Sequence, residues 1–137
     1  MSFQLSFSRH HKYTDSGSGI PLKATLRFGG AEAICTAKVD PGAQYCLFSR
    51  ETAEKLGIDV ESGIRRNLGT LTGSFIAYSH DVTLTTLDVE LESHLCFAKD
   101  YDLPRNLLGR IGWLQLIRLA IIDYDLELYL SRYNEEF

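Results

Sequence analysis

The 137-residue sequence has few of the residues that would place it in a specialised structural class. It has only three cysteines, three prolines, one tryptophan and one methionine. No apolar run approaches the ~20 residues that a membrane-spanning helix requires. The N-terminal residues 1–10 have polar residues at every second place and lack the continuous apolar core of a secretory signal. We therefore expect neither an integral membrane protein nor a secreted one.

The cysteines also exclude a disulfide scaffold. Cys35, Cys46 and Cys96 are an odd number, are widely spaced and have apolar neighbours. That pattern is typical of buried thiols in a reducing compartment. We therefore expect a cytoplasmic protein without membrane association.

The sequence shows no excess of positive charge either. Fourteen Lys and Arg residues stand against eighteen Asp and Glu, which gives a formal net charge of −4. A protein that holds phosphates usually needs a basic field, so nucleic acid is not expected as a partner. Length and a 45% hydrophobic content predict one domain over residues 1–137 with a sizeable core.

The apolar residues alternate in many short segments, which predicts a mostly β protein. Phe3, Leu5 and Phe7 have the spacing of a half-buried strand, whereas the polar residues 9–19 indicate a surface loop. Further strands are expected at residues 20–27, 31–39, 45–48, 64–71, 75–91, 94–98, 119–123 and 126–130. With no alternation of strands and helices, the pattern favours a β-barrel or sandwich.

Turn and cap residues separate these segments. Gly29-Gly30 predicts a β-hairpin, since glycine accepts positive φ, and Thr72-Gly73-Ser74 predicts a second one. Ser49 is a good N-cap for a short helix over residues 50–56 that ends at Gly57. A second short helix is expected over residues 111–117, with Trp113 in the core.

Two distant motifs carry the chemistry. The apolar strand of residues 37–39 ends in Asp40-Pro41-Gly42-Ala43-Gln44, and about 65 residues later the chain has Leu107-Leu108-Gly109-Arg110. A second Asp-x-Gly begins at Asp15, but it follows a polar stretch that cannot be a buried strand. Asp40 is therefore the candidate.

Together these motifs resemble the retropepsin-like aspartic protease family. In that family an apolar strand presents the catalytic Asp, and a hydrophobic-hydrophobic-Gly element passes beneath its loop. The resemblance covers about residues 20–130 and implies a closed β-barrel of the acid protease fold with one or two short helices. It implies that Asp40 is catalytic, that residues 41–44 form the active-site loop, and that residues 107–110 support it.

The resemblance also implies a mechanism and partners. One chain supplies one carboxylate, so a homodimer must bring two Asp40 side chains together to activate a water that hydrolyses a peptide bond. The substrate would be a peptide or protein, with no metal and no cofactor. Residues 69–75, including Gly69, Thr72, Gly73 and Ser74, would form a flap over the groove, although an ordinary surface hairpin fits this segment equally well.

Two positions depart from the family pattern. Pro41 stands where the family has Thr or Ser, whose hydroxyl and N–H bond the partner loop, and proline offers neither donor. Gln44 stands where retroviral members have an Asp that pairs with the Arg of Gly-Arg, so Arg110 must bond the neutral amide of Gln44 or a carboxylate elsewhere. The alternatives are a catalytically inactive module of the same fold that binds peptides or only dimerises, and an unrelated small β-barrel in which both motifs are coincidence. Taken on its own, Asp40 before Pro41-Gly42 also fits a turn cap.

Other reactive residue types have simpler explanations. His10 and His11 lie in a polar segment without ligands at metal spacing, so we expect a solvated pair. His80 and His94 lie on predicted strands and are expected to be structural. Cys46 has apolar neighbours and is expected to be a core thiol rather than a nucleophile.

Overall fold

The computed structural model describes residues 1–70 and 72–137. Within them the chain forms ten strands, one α-helix and three short 3₁₀ turns, at Val60–Ser62, Leu114–Leu116 and Asp123–Asp125. The regular elements are β1 (Arg9–Lys12), β2 (Pro21–Phe28), β3 (Ala31–Val39), β4 (Leu47–Phe48), α1 (Arg50–Lys55), β5 (Ile64–Thr70), β6 (Gly73–Thr86), β7 (Val89–Ala98), β8 (Asn106–Leu108), β9 (Ile117–Ile122) and β10 (Glu127–Arg132). In this part of the chain, no helix is long and apolar enough to cross a membrane.

Six strands close into a barrel. Their order is β2-β3-β8-β4-β7-β6, and β6 returns to β2 through the pairs Thr25 with Thr85 and Leu26 with Leu84. Strand β5 extends the sheet beyond β6 as the outer arm of a hairpin. The predicted mostly β, closed-barrel fold of the acid protease type is confirmed.

The hairpin that leads to Asp40 forms as predicted. Gly29 and Gly30 have φ of +54° and +86°, which residues with a Cβ rarely adopt, and they turn β2 back onto β3. Leu22, Ala24 and Leu26 alternate with more exposed residues and are buried in the barrel. The hairpin thus anchors β3, whose end presents Asp40.

The predicted first helix also forms. The Thr52 N–H donates a hydrogen bond of 3.2 Å to the Ser49 hydroxyl, which satisfies one of the free donors of the first turn. Thr52 and Ala53 are buried against the barrel, and the chain leaves the helix at Gly57 with φ +74°.

A three-stranded sheet of order β1-β10-β9 packs against the barrel. Leu128 and Leu130 of β10 are fully buried and belong to the same hydrophobic cluster as Leu22. Trp113 is fully buried too, and its indole N–H donates to the Thr86 hydroxyl at 3.1 Å. The predicted closing hairpin is therefore β9 and β10, and Trp113 is a core residue as expected.

The prediction of a strand at Phe3, Leu5 and Phe7 is wrong. Phe3 and Leu5 are 86% and 69% exposed and lie outside any strand, while Arg9–Lys12, expected in a loop, forms β1. An edge strand needs only one hydrogen-bonded neighbour, which β10 supplies. His10 stacks on Tyr129 with ring centroids 4.7 Å apart, so cross-strand pairing replaces apolar burial here.

The prediction of one long strand over residues 75–91 is also wrong. Strand β6 starts earlier, at Gly73, and ends at Thr86, and a two-residue turn leads into β7. Leu87 and Asp88 form that turn with φ of +46° and +63°. Such turns usually contain Gly, Asn or Asp, and only Asp88 fits that preference, so the sequence signal for this turn is weak.

The second predicted helix, over residues 111–117, is replaced by the 3₁₀ turn Leu114–Leu116. Gly112 has φ +97°, which interrupts a helix, and the Ile111 N–H donates to the Gln44 carbonyl instead of to a helical neighbour. The segment is thereby tied to the Asp40 loop.

Strand β8 passes between the two strands that flank the Asp40 loop. It pairs in parallel with β3 and antiparallel with β4. The Asn106 side chain donates to the Thr36 carbonyl and accepts from the Ser49 N–H, both at 3.1 Å, which fixes the start of β8. Just beyond it, a Cβ on Gly109 would lie 2.7 Å from the Ala43 carbonyl oxygen and closer still to that of Tyr45.

We predict that Gly109→Ala destabilises the fold by about 3 kcal/mol, because the atoms in the way are backbone and cannot rotate aside. Urea unfolding followed by circular dichroism measures the change. The matched control is Gly69→Ala, where a Cβ meets nothing within 4 Å and a change within about 0.5 kcal/mol is expected. Equal losses in both variants would contradict the close crossing at Gly109.

Candidate active site

Asp40 lies at the end of β3, where the strand leaves the buried barrel. Its backbone N–H donates to the Leu108 carbonyl at 2.9 Å, so β8 holds its main chain. Its side chain is half-buried, and its Oδ1 accepts a hydrogen bond of 3.1 Å from the Gly42 N–H. The carboxylate is thus oriented by its own loop and still reaches the surface.

The loop after Asp40 turns sharply through Pro41 and Gly42. The Ala43 N–H donates to the Asp40 carbonyl at 3.1 Å and closes the turn. A Cβ on Gly42 would lie 3.3 Å from the Asp40 Oδ1, tighter than most real contacts. Glycine here lets the backbone approach the carboxylate, while Pro41 is exposed.

Residues 107–110 support this loop from beneath. Leu107 pairs with both Lys38 of β3 and Leu47 of β4, and Leu108 is fully buried. The Arg110 N–H donates to the Ala43 carbonyl at 2.9 Å. The structure brings the two sequence motifs together through their backbones.

The side chains of Arg110 and Gln44 do not make the expected contact. Both are exposed, and among residues 1–70 and 72–137 Arg110 has no side-chain hydrogen bond or ion pair. The loop is held by main-chain bonds from residues 110 and 111, so the subunit does not need that side-chain pair.

Cys46 lies under the same loop and is fully buried. The Gly109 N–H points at its Sγ at 3.3 Å. Burial raises the pKa of the Cys46 thiol to about 12, so it stays protonated. The structure places it as a packing residue of the loop.

Two cavities lie on either side of Asp40, one of about 590 Å³ and one of about 610 Å³. Both are lined by Asp40, Leu47, Phe75 and Leu107. Because they share these residues, they form one groove with Asp40 at its centre and an apolar floor.

The tip of the β5–β6 hairpin borders this groove. Thr72, Gly73 and Ser74 line the first cavity, and Gly69 lines the second. Residue 71 of the predicted flap lies outside the described residues. The candidate flap therefore lies next to Asp40, with Gly69 opposite Ser74 in the hairpin register.

The groove continues at both ends. A cavity of about 400 Å³ shares Lys38, Pro104 and Arg105 with the first. A cavity of about 440 Å³ shares Tyr45 with the second. Four adjoining cavities thus form a path across the domain, which suits an extended chain rather than a compact small molecule.

The far cavity beyond Tyr45 has a polar lining. The Arg66 guanidinium lies 5.5 Å from the Tyr45 ring centroid, and His94 contacts Asp81 through its Nδ1. His80 does not line this cavity; its Nε2 lies 2.8 Å from the Val60 carbonyl oxygen. His80 is structural as expected, whereas His94 is exposed on a strand surface.

Sequence reasoning missed most of the groove walls. These residues are Lys38, Tyr45, Leu47, Leu68, Asp100, Asp102, Leu103 and Arg105. Lys38 carried a signal, because a lysine two residues before Asp40 on the same strand lies on the same face. The others come from distant segments and could be found only from the barrel topology.

Comparisons with known proteins agree with this geometry. The model of the family described as aspartyl protease matches residues 24–110, more than half of the chain, including both motifs. A comparison with curated proteins finds no match. Among solved structures, the retroviral protease of EIAV complexed with the inhibitor HBY-793 is similar with a TM-score of 0.52. It is 16% identical, and the alignment covers 71% of this chain and 86% of that one.

At 16% identity the structural similarity shows the fold alone, whereas the family match shows the evolutionary relationship. A barrel strand that ends in Asp40, a Leu-Leu-Gly segment beneath its loop and a hairpin beside the groove meet in one place. The chain therefore belongs to the aspartyl protease family and has a retropepsin-like fold.

Proposed function

We propose that this protein is an aspartic endopeptidase that cleaves extended peptide segments, with Asp40 as its catalytic residue. The observation that carries the proposal is the position of Asp40, half-buried at the junction of two cavities with an apolar floor. An extended peptide along this path would pass its backbone directly over the carboxylate.

The chemistry requires two carboxylates. Two acids a few ångströms apart share one proton, because ionising both is costly. The ionised one takes a proton from a bound water, whose oxygen attacks the peptide carbonyl carbon while the protonated acid donates to the carbonyl oxygen. The tetrahedral intermediate then collapses, the C–N bond breaks and the amine leaves with a proton from the dyad.

The second carboxylate would come from Asp40 of another copy. Pro41, Gly42 and Gln44 are exposed next to Asp40, so the loop is accessible to a partner. One motif per chain then predicts an isologous homodimer with Asp40 at its two-fold axis. The hairpin of each copy would cover one half of the groove and exclude water.

Pro41 favours a second candidate function. It removes the hydroxyl and N–H that would bond the partner loop, and such bonds contribute about 1 kcal/mol each. Without them the two loops could associate too weakly to align the dyad. The protein would then be a catalytically inactive module that binds peptides in the same groove or dimerises.

We also propose a cytoplasmic location and a single domain over residues 1–137. The three cysteines are free, and burial raises the pKa of Cys35 and Cys96 to about 11. Thiols of this kind persist in a reducing compartment. The shared hydrophobic cluster of the barrel and the β1-β10-β9 sheet supports one folding unit.

The first test is proteolysis. Purified protein should cleave an unstructured polypeptide in the acidic part of a range from about pH 4 to pH 7, where the dyad keeps its shared proton. Asp40→Asn should lower the rate at least about a thousandfold, as measured by mass spectrometry of the fragments. The control, Asp59→Asn, changes an exposed carboxylate that makes no side-chain cap and should leave the rate unchanged. Cleavage that survives in Asp40→Asn, or none at any pH in a dimeric sample, would reject the enzyme.

The second test concerns association. Pro41→Thr restores both missing donors, and the two-fold axis doubles every new contact, so the dimer dissociation constant should fall at least about tenfold. Sedimentation equilibrium measures it, with Pro104→Thr as the control at a second exposed proline. An unchanged constant would show that the Asp40 loops do not meet in the dimer.

A further inference from the structure

One end of the groove carries positive charge in an acidic protein. The cavity of about 400 Å³ is lined by Lys38, Arg105 and the polar residues Ser16, Ser18 and Thr36, and no carboxylate of the described residues lines it. The chain as a whole has four more acidic than basic residues. We call this cavity the basic pocket.

Neither cation of the basic pocket is neutralised by an ion pair. Among the residues described, Lys38 has no side-chain hydrogen bond, and Arg105 donates only one long bond, 3.5 Å, to the Ser18 carbonyl. Asp100 and Asp102 line the adjoining cavity but form no ion pair with either cation within 4.0 Å. Two charges therefore remain available to a ligand.

The position of Lys38 is built into the fold. A Cβ on Gly19 would lie 2.9 Å from the Lys38 Cδ, and Gly19 has φ +128°, so glycine makes room for the lysine stem. Lys38 lies near the end of β3, two residues before Asp40, so the two Cα atoms are about 7 Å apart along an extended chain. Both line the cavity of about 590 Å³.

We infer that the basic pocket binds an anionic side chain of the substrate, so that the protease selects peptides with an acidic residue a short distance from the bond that is cut. This deepens the proposed function and rests on the groove being a peptide-binding site. In a two-fold dimer each copy supplies one basic pocket, so the preference applies on either side of that bond. Glutamate, aspartate and phosphoserine share the required negative charge.

The experiment measures peptide binding in the Asp40→Asn protein, so that cleavage is not needed. Fluorescence anisotropy compares labelled peptides of one apolar sequence that carry Glu, Gln, Lys or phosphoserine at successive positions. The Glu peptide should bind about fivefold to tenfold more tightly than the Gln peptide at its best position, and raised salt should reduce the difference. Equally tight binding of the phosphoserine peptide would indicate a general anion pocket, and weaker binding than the Glu peptide would indicate a pocket fitted to a carboxylate.

Two variants test whether the preference for Glu over Gln peptides arises from the basic pocket. Lys38→Gln with Arg105→Gln should abolish the Glu-over-Gln preference, and glutamine keeps most of the stem that packs on Gly19. The control, Lys12→Gln with Lys55→Gln, removes the same charge from exposed positions outside the groove and should keep the preference. Thermal unfolding checks that both variants are folded.

The outcomes separate the two proposals. Preferential binding of Glu peptides without any cleavage by the wild-type protein would reject the enzyme and support the pocket. Cleavage with equal binding of Glu and Gln peptides would reject the pocket and leave the enzyme. A preference for Lys peptides would assign the site to Asp100 and Asp102 instead, and a lack of binding by any peptide would also overturn the inference.

Discussion

The geometry of the candidate active site depends on one backbone crossing, the passage of β8 between β3 and β4. Asp40 donates its N–H to Leu108, Arg110 donates to Ala43, and both bonds require the two segments to lie almost in contact. Only glycine fits at residue 109, because a Cβ there would meet backbone oxygens. The Asp40 carboxylate is therefore placed by main-chain hydrogen bonds, which tolerate changes in the surrounding side chains.

The same crossing creates the apolar groove. Leu107 and Leu47 lie side by side where β8 meets β4, and with Phe75 they form part of a second hydrophobic cluster over Cys96 and Ala98. The barrel covers one side of this cluster and leaves the other side half-exposed. Uncovered apolar surface costs about 25 cal/mol per Å², which burial under a bound chain would recover. The fold thus favours a ligand long enough to cover this floor.

The sequence predicted what depends on local chemistry and missed what depends on topology. Gly29-Gly30, the Ser49 cap and the apolar run ending at Asp40 act within a few residues and were placed correctly. The turn at Leu87 and Asp88 lacks a glycine, and the helix expected at residues 111–117 is interrupted because Ile111 bonds the distant Gln44. Most of the groove walls were missed for the same reason, since Leu47 and Asp102 line one cavity only once the barrel closes.

Pro41 affects the association of two Asp40 loops but not the folding of the single subunit. Proline lacks an N–H, yet the turn is closed by the N–H groups of Gly42 and Ala43, so the subunit loses no hydrogen bond at residue 41. Any cost of this residue therefore arises only when two loops meet. Since a catalytic dyad needs that meeting and a peptide-binding groove does not, the strength of association between copies decides between the two functions.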